Sequence, residues 1–155
     1  MRHAGYRAIE SLRLEKGYRI WGKDISPDYT PFEAGLGFAV KLQTDIDFCG
    51  RAALETAASQ LTRRLVCFTV DDPEVVLLGR ETIYRDDRMV GWLTSGGFGY
   101  TVGKPIGFGY VSDREGVRDD VLRGCEYELE VAGTRVTSQL ELSPVYDPTS
   151  SRVRG

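Results

Sequence analysis

The first forty residues begin with a clear helical pattern and then lose it. Tyr6, Ile9 and Leu12 recur at a spacing of three residues and share one face of a helix over residues 5–16. Gly17 suits the left-handed conformation with which many helices end. We therefore predict a helix over residues 5–16 that stops at Gly17.

An irregular segment rich in aromatic and turn-forming residues follows this helix. Residues 18–23 are predicted to be extended, with a turn around Pro27. The sequence TPFE, which ends at Glu33, has the form of a capping box, in which the Glu33 carboxylate reaches back to the Thr30 N–H. This pattern favours a structural role for Glu33 over that of a general base. A short helix is predicted after the box, and a strand over residues 38–42.

The remainder of the chain has one more helical stretch and then strand-like alternation. Residues 51–60 carry an apolar stripe that predicts a helix, and LVCFTV at 65–70 is apolar on both faces, as in a central strand. The sequence ETIYRDDRMVGW predicts a hairpin that turns at residues 86–87. Further strands are predicted over residues 93–100, 106–111, 127–131 and 136–142.

The glycines within residues 93–111 indicate the bulges or sharp bends that close a barrel. The predicted fold class is therefore α+β, with a short N-terminal helical segment followed by a mainly antiparallel β-barrel. A chain of 155 residues is long enough to bury one core of ordinary size.

Composition excludes several classes of function. The net charge of −3 and the dispersed basic residues argue against a nucleic-acid partner, and no apolar run is long enough to span a membrane. The single histidine, His3, makes a histidine-based metal site or a Ser/His/Asp triad improbable, so no metal site is expected. Three widely spaced cysteines indicate a reducing compartment.

A few side chains remain as candidates for binding. Trp21 and Phe38 are large aromatics beside glycines in loop-like segments, and can either form a slot for a planar heterocycle or pack into a core. Arg13 and Glu15, at the end of the first helix, can hold a polar ligand or pair with neighbouring segments. Arg152, in the tail, can meet a carboxylate in bidentate fashion or remain a surface charge.

Three groups of motifs together resemble the C-terminal part of the folate-dependent aminomethyltransferase family, the T-protein of the glycine cleavage system. These are SLRLEKGYRIWGKD at 11–24, TPFEAGLGFAVKL at 30–42, and the ending PVYDPTSSRVRG at 144–155. The similarity is greater to the version fused behind an FAD-dependent amine oxidase domain, as in dimethylglycine oxidase or dehydrogenase and sarcosine dehydrogenase. It extends over nearly the whole chain.

The resemblance implies that residues 1–60 end a central folate-binding subdomain and that residues 61–155 form the family's C-terminal antiparallel barrel. In the family, tetrahydrofolate accepts a one-carbon unit in a channel between three subdomains. The catalytic aspartate lies in an upstream subdomain that nothing here matches, and the G-x-G-x-x-G of an FAD domain is also missing. No catalytic residue is therefore expected in this chain, and FAD is expected only in the parent protein.

The family's ring-contacting aromatics fall on Trp21 and Phe38, and its C-terminal ligand contact falls near Arg152. Arg13 and Glu15 would support the loop that carries Trp21. One departure is Ile9, which stands where T-proteins have an arginine; this favours the oxidase-fused branch or a lost folate site.

We therefore hypothesise a tetrahydrofolate-binding portion of a dimethylglycine or sarcosine dehydrogenase-type protein that is not catalytically competent alone. Its expected partners are folate and the rest of its own parent chain or an upstream subunit. The expected location is the cytoplasm, or the mitochondrial matrix in a eukaryote. The alternatives are a non-catalytic regulatory or protein-interaction barrel, and a structural barrel that pairs with the rest of its chain. For the structural barrel, an exposed apolar face on the first helix would be the sign.

Overall fold

A computed structural model describes residues 3–154 of the chain. The helices are α1 (Tyr6–Lys16), α2 (Arg51–Ser59), α3 (Asp119–Arg123) and α4 (Ser151–Arg154), with a 3-10 helix at Gly37–Ala39. The strands are β1 (Arg63–Thr69), β2 (Thr82–Arg85), β3 (Arg88–Gly99), β4 (Lys104–Ser112), β5 (Tyr127–Val131) and β6 (Thr134–Glu141).

The strands form a closed antiparallel barrel in the order β1-β4-β3-β2-β5-β6, and β6 pairs with β1 to complete the ring. Closure pairs the backbone of every strand on both sides and leaves no free sheet edge. The predicted fold class, a short helical segment followed by a mainly antiparallel barrel, is confirmed.

The barrel has apolar residues on both sides of its wall. Its interior is filled by a cluster that includes Phe68, Ile83 and Leu129, each fully buried. A second cluster lies outside the wall, where Leu14 of α1 covers outward-facing side chains such as that of Cys67. Strand β1 contributes to both clusters, which explains why its sequence is apolar at successive positions.

The glycines of the barrel mark the irregular points that its sequence predicts. The register between β3 and β4 shifts between Leu93 and Ser95, the site of a bulge or irregularity. At Gly91, a Cβ atom would lie 1.8 Å from the carbonyl oxygen of Tyr110, so no other residue fits without a backbone shift. The hairpin turn at Asp86 and Asp87 is confirmed, with both residues at positive φ.

Two local predictions were wrong. Residues 38–42 do not form a strand, because i→i+3 bonds such as that from the Val40 N–H to the Gly37 carbonyl close a 3-10 turn instead. The helix predicted after the capping box is reduced to turns, since Gly35 adopts a left-handed conformation with φ of 68°. The tail is irregular apart from the short helix α4.

Candidate functional site

The site is built from α1 outward, beginning with Arg13. This side chain is almost completely buried, with its Nη1 donating to Asp24 Oδ2 at 2.7 Å and its Nη2 to Ser95 Oγ at 2.8 Å. Its Nε also donates to Glu10 Oε1 at 3.2 Å. Arg13 thereby joins the helix to the loop at Asp24 and to strand β3.

Asp24 is the residue around which this part of the molecule is arranged. It is fully buried, and Oδ1 accepts a hydrogen bond from Thr94 Oγ1 at 2.6 Å while Oδ2 accepts the Ile20 N–H at 3.0 Å as well as Arg13. The Tyr110 hydroxyl donates to the Asp24 carbonyl at 2.8 Å. A buried charge is tolerated when it is paired and hydrogen-bonded in this way.

Sequence reasoning missed Asp24 and assigned it only to a turn. One signal was available. Arg13 lies near the end of the predicted helix, and Asp24 is an acidic residue eleven positions later that can pair with it if the loop folds back onto the helix. Its partner Thr94 lies on strand β3, 70 residues further along the chain, and nothing in the local sequence indicates that contact. A buried ion pair between a helix and a loop is set by tertiary packing, not by local spacing.

Glu15 holds the other side of α1. Its side chain is 1% exposed, and its Oε1 accepts the backbone N–H groups of Thr101 and Val102, at 2.5 and 3.1 Å. The Glu15 carbonyl accepts the Tyr146 N–H at 3.0 Å. The carboxylate therefore fixes α1 to the β3–β4 turn, and the backbone of the same residue fixes the tail.

A second anchor lies further along the loop. The rings of Tyr29 and Tyr110 stack with centroids 4.0 Å apart, and the Arg63 guanidinium lies 4.6 Å from the Tyr29 centroid. Arg63 Nε donates to Glu33 Oε1 at 3.0 Å, and the Glu33 carboxylate also accepts the Thr30 N–H at 2.7 Å. The capping interaction predicted for Glu33 is thus present.

The charge of Glu33 is stabilised by these contacts. Partial burial alone would raise the pKa of Glu33, but the hydrogen bonds from Arg63 and Thr30 outweigh it and hold the pKa below its ordinary value. A carboxylate with a lowered pKa and three structural donors is a poor general base at neutral pH.

Trp21 and Phe38 point away from the core. Trp21 is 69% exposed and Phe38 is 87% exposed, although the loop that carries them is anchored at Asp24, Tyr29 and Glu33. Both rings are therefore accessible to a ligand or to another part of a larger protein. The sequence left open whether these two rings form a slot for a ligand or pack into a core. The structure shows that neither ring packs into the core of this chain.

Arg152 lies on α4 and its side chain is attached to the tail. Its Nη1 donates to the Tyr146 hydroxyl at 2.9 Å, and the guanidinium lies 5.4 Å from the centre of the same ring. The tail itself is held to α1, because Lys16 Nζ donates to Asp147 Oδ2 at 2.9 Å and lowers the pKa of Asp147. Arg152 is exposed but has a defined position.

The structure does not bring the three predicted ligand contacts together. Among residues 3–154, no aromatic stacking or cation–π contact joins Trp21, Phe38 and Arg152. Arg13 contacts the loop that carries Trp21 through Asp24, whereas Glu15 contacts the β3–β4 turn and not that loop. Over the same described residues, no cluster of potential metal ligands occurs and no helix is long and apolar enough to cross a bilayer.

The closed six-stranded barrel defines a class, that of aminomethyltransferase-like barrels. Residues 63–147 match the glycine cleavage T-protein C-terminal barrel domain, and residues 1–44 match the GCVT N-terminal domain. The chain belongs to the glycine cleavage T-protein C-terminal barrel family.

Several relatives share nearly the whole chain. Mitochondrial sarcosine dehydrogenase of Mus musculus is 46% identical over 99% of this chain, and mitochondrial dimethylglycine dehydrogenase of Homo sapiens is 36% identical over 97%. The mitochondrial pyruvate dehydrogenase phosphatase regulatory subunit of Mus musculus is 36% identical over 94%. The chain spans 17% of the length of the two dehydrogenases and 18% of the length of the regulatory subunit.

A solved structure supports the fold directly. The crystal structure of glycine cleavage system aminomethyltransferase T from Bartonella henselae superposes with a TM-score of 0.76 at 27% identity. The match covers 91% of this chain and 38% of that one. The predicted family is therefore confirmed: a glycine cleavage T-protein barrel related to sarcosine and dimethylglycine dehydrogenases.

Proposed function

We propose that this chain forms one wall of a tetrahydrofolate site in an aminomethyltransferase-like module of a sarcosine or dimethylglycine dehydrogenase-type protein. In that role it contributes binding surface and is not catalytically competent alone. Support comes from relatives that share nearly all of its sequence and that are about six times as long.

The observation that carries the proposal is the exposure of Trp21 and Phe38 on an anchored loop. A buried contact at Asp24 and a partly buried one at Glu33 hold the backbone of the segment that connects the two rings. An exposed ring on a fixed backbone is preorganised, so a planar ligand that stacks on it does not have to order the loop first. The pterin of a folate is such a ligand, and these two rings suit it.

Tetrahydrofolate supplies the carbon-accepting chemistry when bound. The residues of this chain would bind and orient it. Trp21 and Phe38 would flank the pterin, and Arg13 would support the loop through Asp24 while Glu15 holds α1 against the β3–β4 turn. Arg152 would meet a carboxylate of the folate. A guanidinium already held by Tyr146 can meet a carboxylate with little loss of rotamer freedom. FAD would belong to a separate domain of the parent, since no G-x-G-x-x-G is present here.

The partner in this proposal is the rest of the parent chain, or an upstream subunit. The second wall of the site and its catalytic group would come from that partner. The mitochondrial names of the relatives support a mitochondrial matrix location in a eukaryote, and the cytoplasm is proposed otherwise.

The test is titration with folinic acid, followed by tryptophan fluorescence and calorimetry. We expect Trp21→Ala and Phe38→Ala each to weaken binding at least about tenfold, the loss of one good stacking contact. Trp92→Ala is the matched control, because Trp92 is 56% exposed on strand β3 of the barrel wall and should leave affinity unchanged. Absence of binding, even with the missing N-terminal region supplied, would overturn the proposal.

A second candidate function is a non-catalytic regulatory module. The similarity to a phosphatase regulatory subunit over 94% of the chain favours it. That relative contains a similar segment, and its name denotes a regulatory role. Ile9, at the position of an arginine in T-proteins, is also consistent with a folate site that has been lost. The same titration separates the two, since a regulatory module would fold normally without binding folinic acid.

A further inference from the structure

Helix α1 buries polar residues beside Leu14 on the side that faces the barrel, and leaves its other large apolar residues exposed. On the side that faces the barrel, Ser11 is 7% exposed and Glu15 is 1% exposed. The apolar side chains on the opposite side are exposed: Tyr6 by 63%, Ile9 by 56% and Leu12 by 59%. An ordinary surface helix has the reverse arrangement.

The inward face combines Leu14, which packs on the apolar cluster outside the barrel wall, with polar residues that bond to the barrel. Ser11 Oγ donates to the Phe98 carbonyl at 2.7 Å, and Glu15 accepts two backbone N–H groups of the β3–β4 turn. These bonds explain why Ser11 and Glu15 are buried. Nothing among the described residues explains why the outer face is apolar, and three such residues aligned along one helix are not scattered surface hydrophobics.

A groove continues this surface onto the barrel. It has a volume of about 460 Å³ and lies between α1, the segment at 73–78 and strand β3. Exposed apolar side chains line it: Tyr6, Val76 (64%), Leu78 (77%) and Tyr100 (80%). Tyr6 belongs to both the helix face and the groove, so the two form one connected surface, which we call the α1 face.

The two domain matches indicate what covers the α1 face. Helix α1 lies within residues 1–44, which match the GCVT N-terminal domain, whereas the barrel strands have their own match at 63–147. Only 44 residues here represent the N-terminal domain, and the chain spans 38% of an aminomethyltransferase of solved structure. In that longer protein, residues outside the match are available to cover this helix.

We infer that the α1 face is the docking surface for the remainder of the N-terminal aminomethyltransferase-like domain. This inference rests on the proposed function and names the surface through which the missing wall is attached. A few aligned apolar side chains beside a groove are the usual centre of such an interface, and Arg7, Glu10 and Lys23 along the groove supply polar groups.

The experiment is hydroxyl-radical footprinting, which reports side-chain exposure residue by residue. The 155-residue chain is compared with a chimera in which it replaces the matching segment of mouse sarcosine dehydrogenase. We expect oxidation of Tyr6, Ile9 and Leu12 to fall at least fivefold in the chimera. Met89, 63% exposed on β3, is the internal control and should not change.

Three outcomes would overturn the inference. One is unchanged oxidation of the α1 face in a folded chimera, and another is equal protection of Met89. The third is protection in the 155-residue chain that grows with its concentration, which would assign the face to a second copy. Footprinting needs no folate, so protection of α1 without folinic acid binding would contradict the proposed function and leave this inference standing.

Paired substitutions give a second measurement. Leu12→Glu places a charge on the α1 face, and Met89→Glu places the same charge on the barrel wall. In the isolated chain both are expected to leave the thermal midpoint nearly unchanged, because both side chains are exposed. In the chimera, only Leu12→Glu should restore oxidation of Tyr6 and Ile9; restoration by both, or by neither, would contradict the inference.

Discussion

The barrel and the segment before it are stabilised by different means. The barrel closes its own sheet and fills its interior with fully buried apolar residues such as Phe68 and Leu129. Residues 5–40 are instead attached by specific polar contacts, chiefly those of Arg13, Asp24 and Glu15, and leave Trp21 and Phe38 in solvent. The barrel is complete within this chain, whereas the segment has apolar surface that the chain does not cover.

Because of this difference, we expect the stability of the fold and the binding of a ligand to depend on different regions of the chain. Apolar burial is non-directional and tolerates some change of shape, whereas buried ion pairs fix geometry and depend on every partner being present. Buried ion pairs are therefore better suited than apolar burial to a loop that holds two rings at fixed positions. We therefore expect substitutions in the barrel to change the free energy of unfolding, and substitutions in the loop to change ligand affinity as well.

The largest expected effect compares two phenylalanines. Phe68→Ala empties a fully buried site next to Tyr127, and should lower the free energy of unfolding by about 3–5 kcal/mol. Phe38→Ala removes a ring that is 87% exposed and should change stability by less than about 0.5 kcal/mol. Urea unfolding measures both. A large loss of stability in Phe38→Ala would mean that the ring is structural, and would break the comparison.

The next effect tests whether polar contacts hold the segment. Asp24→Ala removes the acceptor of Arg13, Thr94 and the Ile20 N–H, and should cost about 3 kcal/mol because it leaves a buried guanidinium with less compensation. Asp28→Ala, an exposed carboxylate of the same loop, should cost less than about 0.5 kcal/mol.

A second readout shows whether the loop itself is loosened. With Trp92→Phe in the background, the fluorescence anisotropy of Trp21 reports only on the loop, and should fall in Asp24→Ala but not in Asp28→Ala. Loss of stability without any change in Trp21 anisotropy would show that Asp24 stabilises the fold without positioning the ring.

Sequence reasoning predicted the parts that depend on local pattern. The helix that ends at Gly17, the turn at Asp86 and the capping contact of Glu33 all follow from periodicity or from residue types that favour a particular backbone. It also predicted a closed barrel, because glycines within alternating strands are typical of one.

What it missed depends on tertiary contacts. The strand predicted at 38–42 failed because no neighbouring strand was available, so local 3-10 bonds prevailed. Asp24 was not recognised because its partner on β3, Thr94, is 70 residues away in the sequence. The spacing of Tyr6 and Leu12 did not predict which way α1 faces. An apolar helix face predicts that the face is buried, but not whether this chain or another part of a larger protein buries it.

A smaller effect concerns pH. The folded pKa of Glu33 is below its ordinary value of 4.5, so the unfolded chain binds more protons between the two values and stability rises with pH there. The contribution is fully present above about pH 4.5 and is lost as the pH falls through the folded pKa. Glu33→Gln should therefore lower the thermal midpoint at pH 7, and the difference from wild type should shrink as the pH is lowered toward 3. A constant difference between wild type and variant from pH 3 to pH 7 would contradict this assignment.

The smallest effect is an increase in stability in the barrel. Arg80 has φ of 87°, a conformation that side-chain-bearing residues rarely adopt, and its side chain is exposed and makes no hydrogen bond or ion pair within residues 3–154. Arg80→Gly should relieve this strain and raise the free energy of unfolding by about 0.5–1 kcal/mol, the net of strain relief and the greater entropy of an unfolded glycine. Arg80→Ala is the control, since it removes the same long side chain but keeps the Cβ atom. An equal gain in both variants would show that the side chain, and not the backbone, is responsible, and a loss in the glycine variant would mean that Arg80 makes a contact that stabilises the barrel.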